Sequence, residues 1–187
     1  LLEKLKRLVS KYNHIFAKDA RDVGRMTGVK HKMEMIEGSG IVKLRPYRIP
    51  YAKQHFVDET VKEILEDKQI KRSKSSWASP IVLVKKSDGT ERFCVDYQKV
   101  NEITKKDNYP LPLIEETLDK LGEARYFSTV DMQAAYWHIE MDEDSKEKTA
   151  FITYNQGLFE FEVMPFGLSN SGATFQKAMD QVVRDVT

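Results

Sequence analysis

Apolar residues recur along this chain with two periods, one helical and one strand-like, and the changeover points divide it into elements. Leu1, Leu5, Leu8, Val9 and Tyr12 are spaced for one face of a short amphipathic helix over residues 1–12. Residues 13–50 are irregular, broken by Gly24, Gly28, Gly38, Gly40, Pro46 and Pro50, with a possible strand at His31–Ile36. From Gln54, the residues Val57, Val61, Ile64 and Leu65 recur on one helical face that ends near Lys68. Pro80–Lys86 reads as an apolar strand, Ser87–Thr90 as a turn and Glu91–Tyr97 as the returning strand. That is a β-hairpin with a basic tip.

Tyr109-Pro110-Leu111-Pro112 is a stiff connector into a helix with Ile114, Leu118 and Leu121 on one face and Gly122 as its stop. The strand formers of Tyr126–Val130 predict a strand that delivers the carboxylate of Asp131 to its end. Trp137–Met141 alternates as another strand, and Asp142-Glu143-Asp144 reads as an acidic, solvated turn rather than a metal site. Phe151–Tyr154 and Leu158–Val163 form a second hairpin about Asn155-Gln156-Gly157. Ser169 or Asn170 is placed to cap a last helix, whose apolar face is Phe175, Ala178, Met179, Val182, Val183 and Val186. The order of helices and hairpins predicts an α+β fold.

Composition narrows the class. With 187 residues, 41% hydrophobic and 32% charged, the chain is long enough for one domain with a real core and is unlike a disordered polymer. No apolar run approaches the roughly 20 residues that span a bilayer. The alternation of Leu and charge in the first residues is not that of a signal peptide. One cysteine, Cys94, allows no internal disulfide and suits a reducing, intracellular compartment; its plainest role is a small half-buried hydrophobe. The net charge of +1 hides an asymmetry: residues 1–108 carry 24 Lys and Arg against 15 Asp and Glu, residues 109–187 carry 6 against 14. A basic half and an acidic half suit surface for phosphates beside carboxylates for metal, although surface charges that merely solvate the fold give the same count.

Several segments stand in a telling order. Ser79–Tyr97 is followed by Asn108-Tyr109-Pro110-Leu111-Pro112, the Asp131 segment, Lys148-Thr149-Ala150-Phe151 and Met164-Pro165-Phe166-Gly167-Leu168. In this order they resemble the reverse transcriptases of gypsy-type LTR retrotransposons, over roughly Leu1 to Val186. The resemblance implies the fingers and palm of a right-hand DNA polymerase: residues 1–40 leading into the fingers, 41–105 fingers, 106–138 the first part of the palm, 139–170 fingers again and 171–187 a palm helix. The complete enzyme would copy RNA or DNA templates into DNA from deoxynucleoside triphosphates, with two Mg²⁺ ions (Mn²⁺ as a substitute). It would be flanked by ribonuclease H, protease and integrase domains in a polyprotein, in the cytoplasm, within a virus-like particle, or in the nucleus.

Roles follow residue by residue. Asp131 matches the first catalytic aspartate, a ligand of both ions, with the backbone carbonyl of Met132 as one more oxygen. Tyr136 matches the aromatic gate that excludes a 2′-hydroxyl, with Ala135 beside it. Lys86 and Arg92 match the basic clamp on the triphosphate, and Lys85 fits the lysine position as well as Lys86 does. Phe166 and Gly167 match the segment against the nucleotide; viral relatives carry Gln at the Phe166 position. Cys94, Asp96, Gln98 and Gly172 lie where the family grips template. Trp77 fits either a stacking platform for a base or a hydrophobic anchor.

The chain departs from the family pattern at Gln98, where Arg is usual, at Ser171-Gly172, where Ala-Pro is usual, and at Ala135-Tyr136-Trp137-His138, where Gly-Tyr-His-Gln is usual. No Asp-Asp pair occurs in the 187 residues, whereas the family carries Tyr-x-Asp-Asp on a hairpin after the helix that begins near Ser169. The fold expected is therefore truncated before the second catalytic motif. The chain on its own is expected to show no polymerase activity. Two other readings compete: a non-catalytic nucleic-acid-binding remnant or domesticated module, and a remnant that never folds stably because apolar surface stays open.

Overall fold

The computed structural model describes residues 2–19, 21–122 and 124–184. In chain order its elements are α1 (Leu2–Lys11), β1 (Lys30–His31), α2 (Tyr51–Glu66), β2 (Ile70–Arg72), β3 (Ser79–Lys85), β4 (Glu91–Val95), α3 (Gln98–Glu102), α4 (Ile114–Leu121), β5 (Glu140–Met141), α5 (Glu143–Lys146), β6 (Phe151–Thr153), β7 (Gly157–Phe161) and α6 (Ser171–Arg184). Single 3-10 turns lie at Asn13–Ile15, Ala135–His138 and Glu147–Thr149. Leu1 and Val186, assigned to helix faces by pattern, lie outside the described residues.

The two hairpins join in one mixed sheet of order β2-β7-β6-β3-β4. β3 runs parallel to β6 and antiparallel to β4, with Val84 opposite Arg92 and Lys85 opposite Glu91. The tip closes as the sequence requires: Gly89 takes φ +86°, its N–H donates to the Lys86 carbonyl at 3.0 Å, and Asp88 accepts from the Thr90 N–H at 2.9 Å. On one face of the sheet, Val57, Val61 and Ile64 of α2 pack on Ile70, Ile81, Phe151, Phe159 and Phe161. Each such side chain, fully buried, contributes about 1.5–3 kcal/mol. Phe151 lies within 6 Å, centre to centre, of Phe93, Phe159 and Phe161.

A second core joins Met33, Trp77, Tyr97, Val100, Ile139, Met141, Met164, Leu168 and Ala178. It packs the N-terminal segment, α3, β5 and α6 together. Trp77 is only 7% exposed, so it is a hydrophobic anchor and not a stacking platform. β1 lies parallel to β5, and the buried His31 ring meets the Thr174 hydroxyl of α6 at 2.8 Å. Burial holds the His31 pKa down at about 4.

Four local expectations are corrected. Residues 124–132 form no strand: Tyr126, Phe127 and Val130 are exposed, and among the described residues no strand lies alongside them. Strand formers need a neighbour to pair with, and here they have none. Asp131 accordingly sits in irregular chain and not at a strand end. Trp137–Met141 is also not a single strand, because Ala134, at φ +46° and ψ +49°, turns the chain into the 3-10 turn before β5 begins. Asp142–Asp144 opens α5, where Lys146 pairs with Glu143 and Glu162. The Asn170 side chain does not cap α6; it accepts from the Asp107 N–H and donates to the Lys105 carbonyl.

Candidate active site

Three loops and the α6 N-terminus build the site. Tyr136 stands on the 3-10 turn that follows Ala134. Its ring lies 5.1 Å from Phe166 and 5.6 Å from Phe175, centre to centre. Gly172, in the first turn of α6, faces the Tyr136 hydroxyl: a Cβ there would come within 3.8 Å of it. The Phe166–Ser169 loop is fixed from α3, since Asn101 donates to the Gly167 carbonyl at 2.8 Å and accepts from the Ser169 N–H at 2.9 Å. Gly167 takes φ +94° against Tyr97, a backbone state that disfavours any side chain. Phe166 is left 55% exposed, a flat apolar face beside Tyr136.

On the other side, Cys94, Phe93 and Val95 of β4 face Phe166 and Gly167 across a cleft floored by Trp137 and Phe161. Burial pushes the Cys94 thiol up, against the opposing pull of Arg92, so it is a poor nucleophile. Asp96 accepts from the Gln98 N–H at 3.1 Å and from the Tyr47 hydroxyl at 3.0 Å, and this fixes the turn into α3. Lys86 and Arg92 are exposed on the hairpin. Lys86 lies just past the end of β3 and Arg92 on β4, so both basic residues stand on exposed hairpin surface that an anion can reach.

Asp131 and Met132 line a different cleft, together with Gln133, His138 and the N-terminal residues His14–Ala17, Asp22 and Gly24. Asp131 is exposed. Among the described residues no three His, Cys, Asp or Glu side chains come together as a metal site. Two hard divalent ions need several carboxylate oxygens between them, so the residues present do not complete such a site. The sequence-assigned residues thus fall into a joined set (Tyr136, Phe166, Gly167, Gly172 and Cys94), a hairpin pair (Lys86 and Arg92), a turn pair (Asp96 and Gln98) and the Asp131–Met132 segment.

Two contributors carried no sequence signal as site residues. Phe175 reads as helix packing, yet it is the lower support of the Tyr136 ring. Gly24–Met26 reads as irregular loop, yet it binds the turn that carries Tyr136: the Met26 N–H donates to the His138 carbonyl at 2.7 Å, and Arg25 donates to the Trp137 carbonyl at 3.0 Å.

Comparison with known proteins places the chain in a family and a fold. Residues 84–187 match the family described as reverse transcriptase (RNA-dependent DNA polymerase). The Drosophila melanogaster retrovirus-related Pol polyprotein from transposon 297 is 38% identical over 97% of this chain, which spans 17% of that protein. The corresponding polyprotein from transposon gypsy, of the same fly, is 40% identical over 70% of this chain and 13% of that one. A foamy viral protease-reverse transcriptase solved with an RNA/DNA hybrid superposes with a TM-score of 0.84 at 23% identity, over 98% of this chain and 25% of that one. That likeness shows the fold: the fingers and palm of a reverse transcriptase. The family generally uses divalent metal ions, and no helix among the described residues is long and apolar enough to cross a membrane. The chain belongs to the reverse transcriptase (RNA-dependent DNA polymerase) family, with its relatives among retrotransposon Pol polyproteins.

Proposed function

We propose that this chain supplies the nucleotide pocket of a retrotransposon polymerase that copies RNA or DNA template–primers from deoxynucleoside triphosphates inside the cell. The observation that carries the reading is the tilted contact of the Tyr136 ring with Phe166, 5.1 Å centre to centre, beside Gly172. A partly exposed aromatic wall excludes by bulk: it suits a deoxyribose and crowds the extra oxygen of a ribose. The basic hairpin, with Lys86 and Arg92, supplies the charge that holds a triphosphate in line. Cys94, Asp96 and Gln98 present the neighbouring surface to the template strand.

In this reading residues 41–105 and 139–170 are fingers, while 106–138 and 171–187 belong to the palm. Asp131 and the Met132 carbonyl serve as oxygen ligands toward Mg²⁺, together with carboxylates from polypeptide beyond this segment. The proposed partners are template–primer, deoxynucleoside triphosphates and the other Pol domains. Mg²⁺, when bound, would polarise phosphate oxygens; the residues here position sugar, base and phosphates around it.

The test is nucleotide selection by a reverse transcriptase polypeptide that carries this segment. Tyr136→Val should raise ribonucleotide incorporation by about tenfold or more relative to deoxyribonucleotide. An unchanged ratio contradicts the pocket assignment. A non-catalytic nucleic-acid-binding module is the second reading, favoured by the exposed basic hairpin alone. It gains if template–primer binds but no Asp131-dependent extension is found.

A further inference from the structure

The turn that carries Tyr136 is held at an unfavourable backbone conformation. Ala134 is in the left-handed region at φ +46° and ψ +49°, with no glycine to relieve it. Such a residue persists only where its surroundings over-determine it. A single 3-10 turn follows, and it leaves its last carbonyls without partners inside the turn.

Those carbonyls are taken by the N-terminal segment. The Met26 N–H donates to the His138 carbonyl at 2.7 Å, and Arg25 Nη1 donates to the Trp137 carbonyl at 3.0 Å. Arg25 Nη2 reaches Gln69 Oε1 at 3.1 Å. Gln69 is buried at the α2–β2 junction, where its carbonyl accepts from the Glu162 N–H. One guanidinium therefore ties the gate turn to the fingers. Gly24 lies flat against His138, where a Cβ would come within 3.5 Å of the ring. His138 in turn meets the Gln133 carbonyl at 2.8 Å, on the stretch that leads back to Asp131.

We propose that Arg25, with the Gly24–Met26 strap, is a positioning residue for the sugar gate: it fixes the 3-10 turn so that Tyr136 stands against Phe166. Resting on the gate reading above, it assigns sugar selection in part to a segment outside the fingers and palm motifs. Arg25 acts through the carbonyl of Trp137, on the turn that carries the gate. Its planar fork serves the Trp137 carbonyl and Gln69 at once, and the Gly24 carbonyl of its own strap at 3.2 Å, which a lysine ammonium on a flexible stem does not hold in the same way.

Two measurements test this. In this chain, amide exchange at Trp137 and Ile139 should speed up in Arg25→Ala while β3 and β4 stay protected. In a reverse transcriptase polypeptide carrying the segment, Arg25→Ala should raise the deoxynucleotide KM and lower discrimination against ribonucleotides, each roughly tenfold. The kcat for deoxynucleotide should stay near wild type. If Arg25→Ala does not fold, Arg25→Lys is read in the same assays, with a smaller change in the same direction.

A purely structural role predicts a lower Tm with KM and discrimination unchanged, and that result overturns the proposal. So does unchanged exchange at Trp137 and Ile139. Tyr136→Val is run in parallel. If it leaves discrimination intact, the gate reading has failed and the proposal falls with it. If it relaxes discrimination and the Arg25 variants do not, the strap alone is refuted.

Discussion

Acidification should loosen this fold at His31 before the ion-paired Glu143 and Glu162 or the hydrogen-bonded Asp180 give way. The imidazole is 1% exposed and is held against Thr174, with its pKa lowered from 6.5 to about 4 because burial disfavours the charged ring. In the unfolded chain the ring protonates near 6.5, so between 6.5 and 4 the unfolded state binds the extra proton. Stability is therefore full above pH 6.5 and is lost as pH falls toward 4. Linkage gives about 2 kcal/mol between roughly pH 7.5 and pH 5. For a chain of this size that is a fall in Tm of about 4–8 °C. Glu143, Glu162 and Asp180 have their pKa values lowered from already acidic ordinary values, so their contributions are lost only at lower pH. The assay is thermal unfolding from about pH 7.5 to pH 5 for wild type and His31→Gln, with the slope above pH 5 as the readout. The variant should be less stable at neutral pH and nearly flat across the window. Parallel slopes for the two proteins would show that His31 is not the group being titrated and would refute the reasoning.

Other outcomes follow from the site. The chain alone should show no divalent-metal-dependent primer extension, since its described residues gather no multi-carboxylate site; sustained extension by the purified chain would contradict this. Binding of an RNA/DNA hybrid should weaken steeply with salt and survive Asp131→Asn, because phosphate contacts dominate it; equilibrium titration at several salt concentrations reads both. In a polymerase carrying the segment, Arg92→Gln should raise the deoxynucleotide KM by about tenfold, the loss of one charge-assisted contact, and an unchanged KM would remove Arg92 from the triphosphate site.

Local order was the legible part of the fold. The basic hairpin could be read because Asp88-Gly89 between alternating apolar runs has one good solution, and α2 because Val57, Val61 and Ile64 repeat on one face. The Asp131 segment misled for a physical reason: strand propensity describes what a residue gains beside a partner, and Tyr126–Val130 have no partner strand among the described residues. Trp137 and Ile139 alternate on paper, but the left-handed Ala134 turns the chain first, and nothing in its side chain announces that. Tyr136, Phe166 and Gly172 were named only through the family resemblance, the first two toward the nucleotide and Gly172 toward the template, and the structure brings the three side by side. Phe175 and the Arg25 strap were not, because a supporting contact 39 or 112 residues away in sequence leaves no local pattern. The core around Phe151 is closed, while Leu113, Ile114, Leu118 and Val130 remain as open apolar surface.

In the proposed function, Asp131 anchors the chemistry of a polymerase whose nucleotide pocket is built by Tyr136 and Phe166. Its most direct test is template-dependent primer extension by a reverse transcriptase polypeptide carrying this segment, with Asp131→Asn against wild type. The account predicts a loss of roughly a thousandfold or more in extension, about 4 kcal/mol of transition-state stabilisation, with template–primer affinity unchanged. Extension within a few fold of wild type would contradict it.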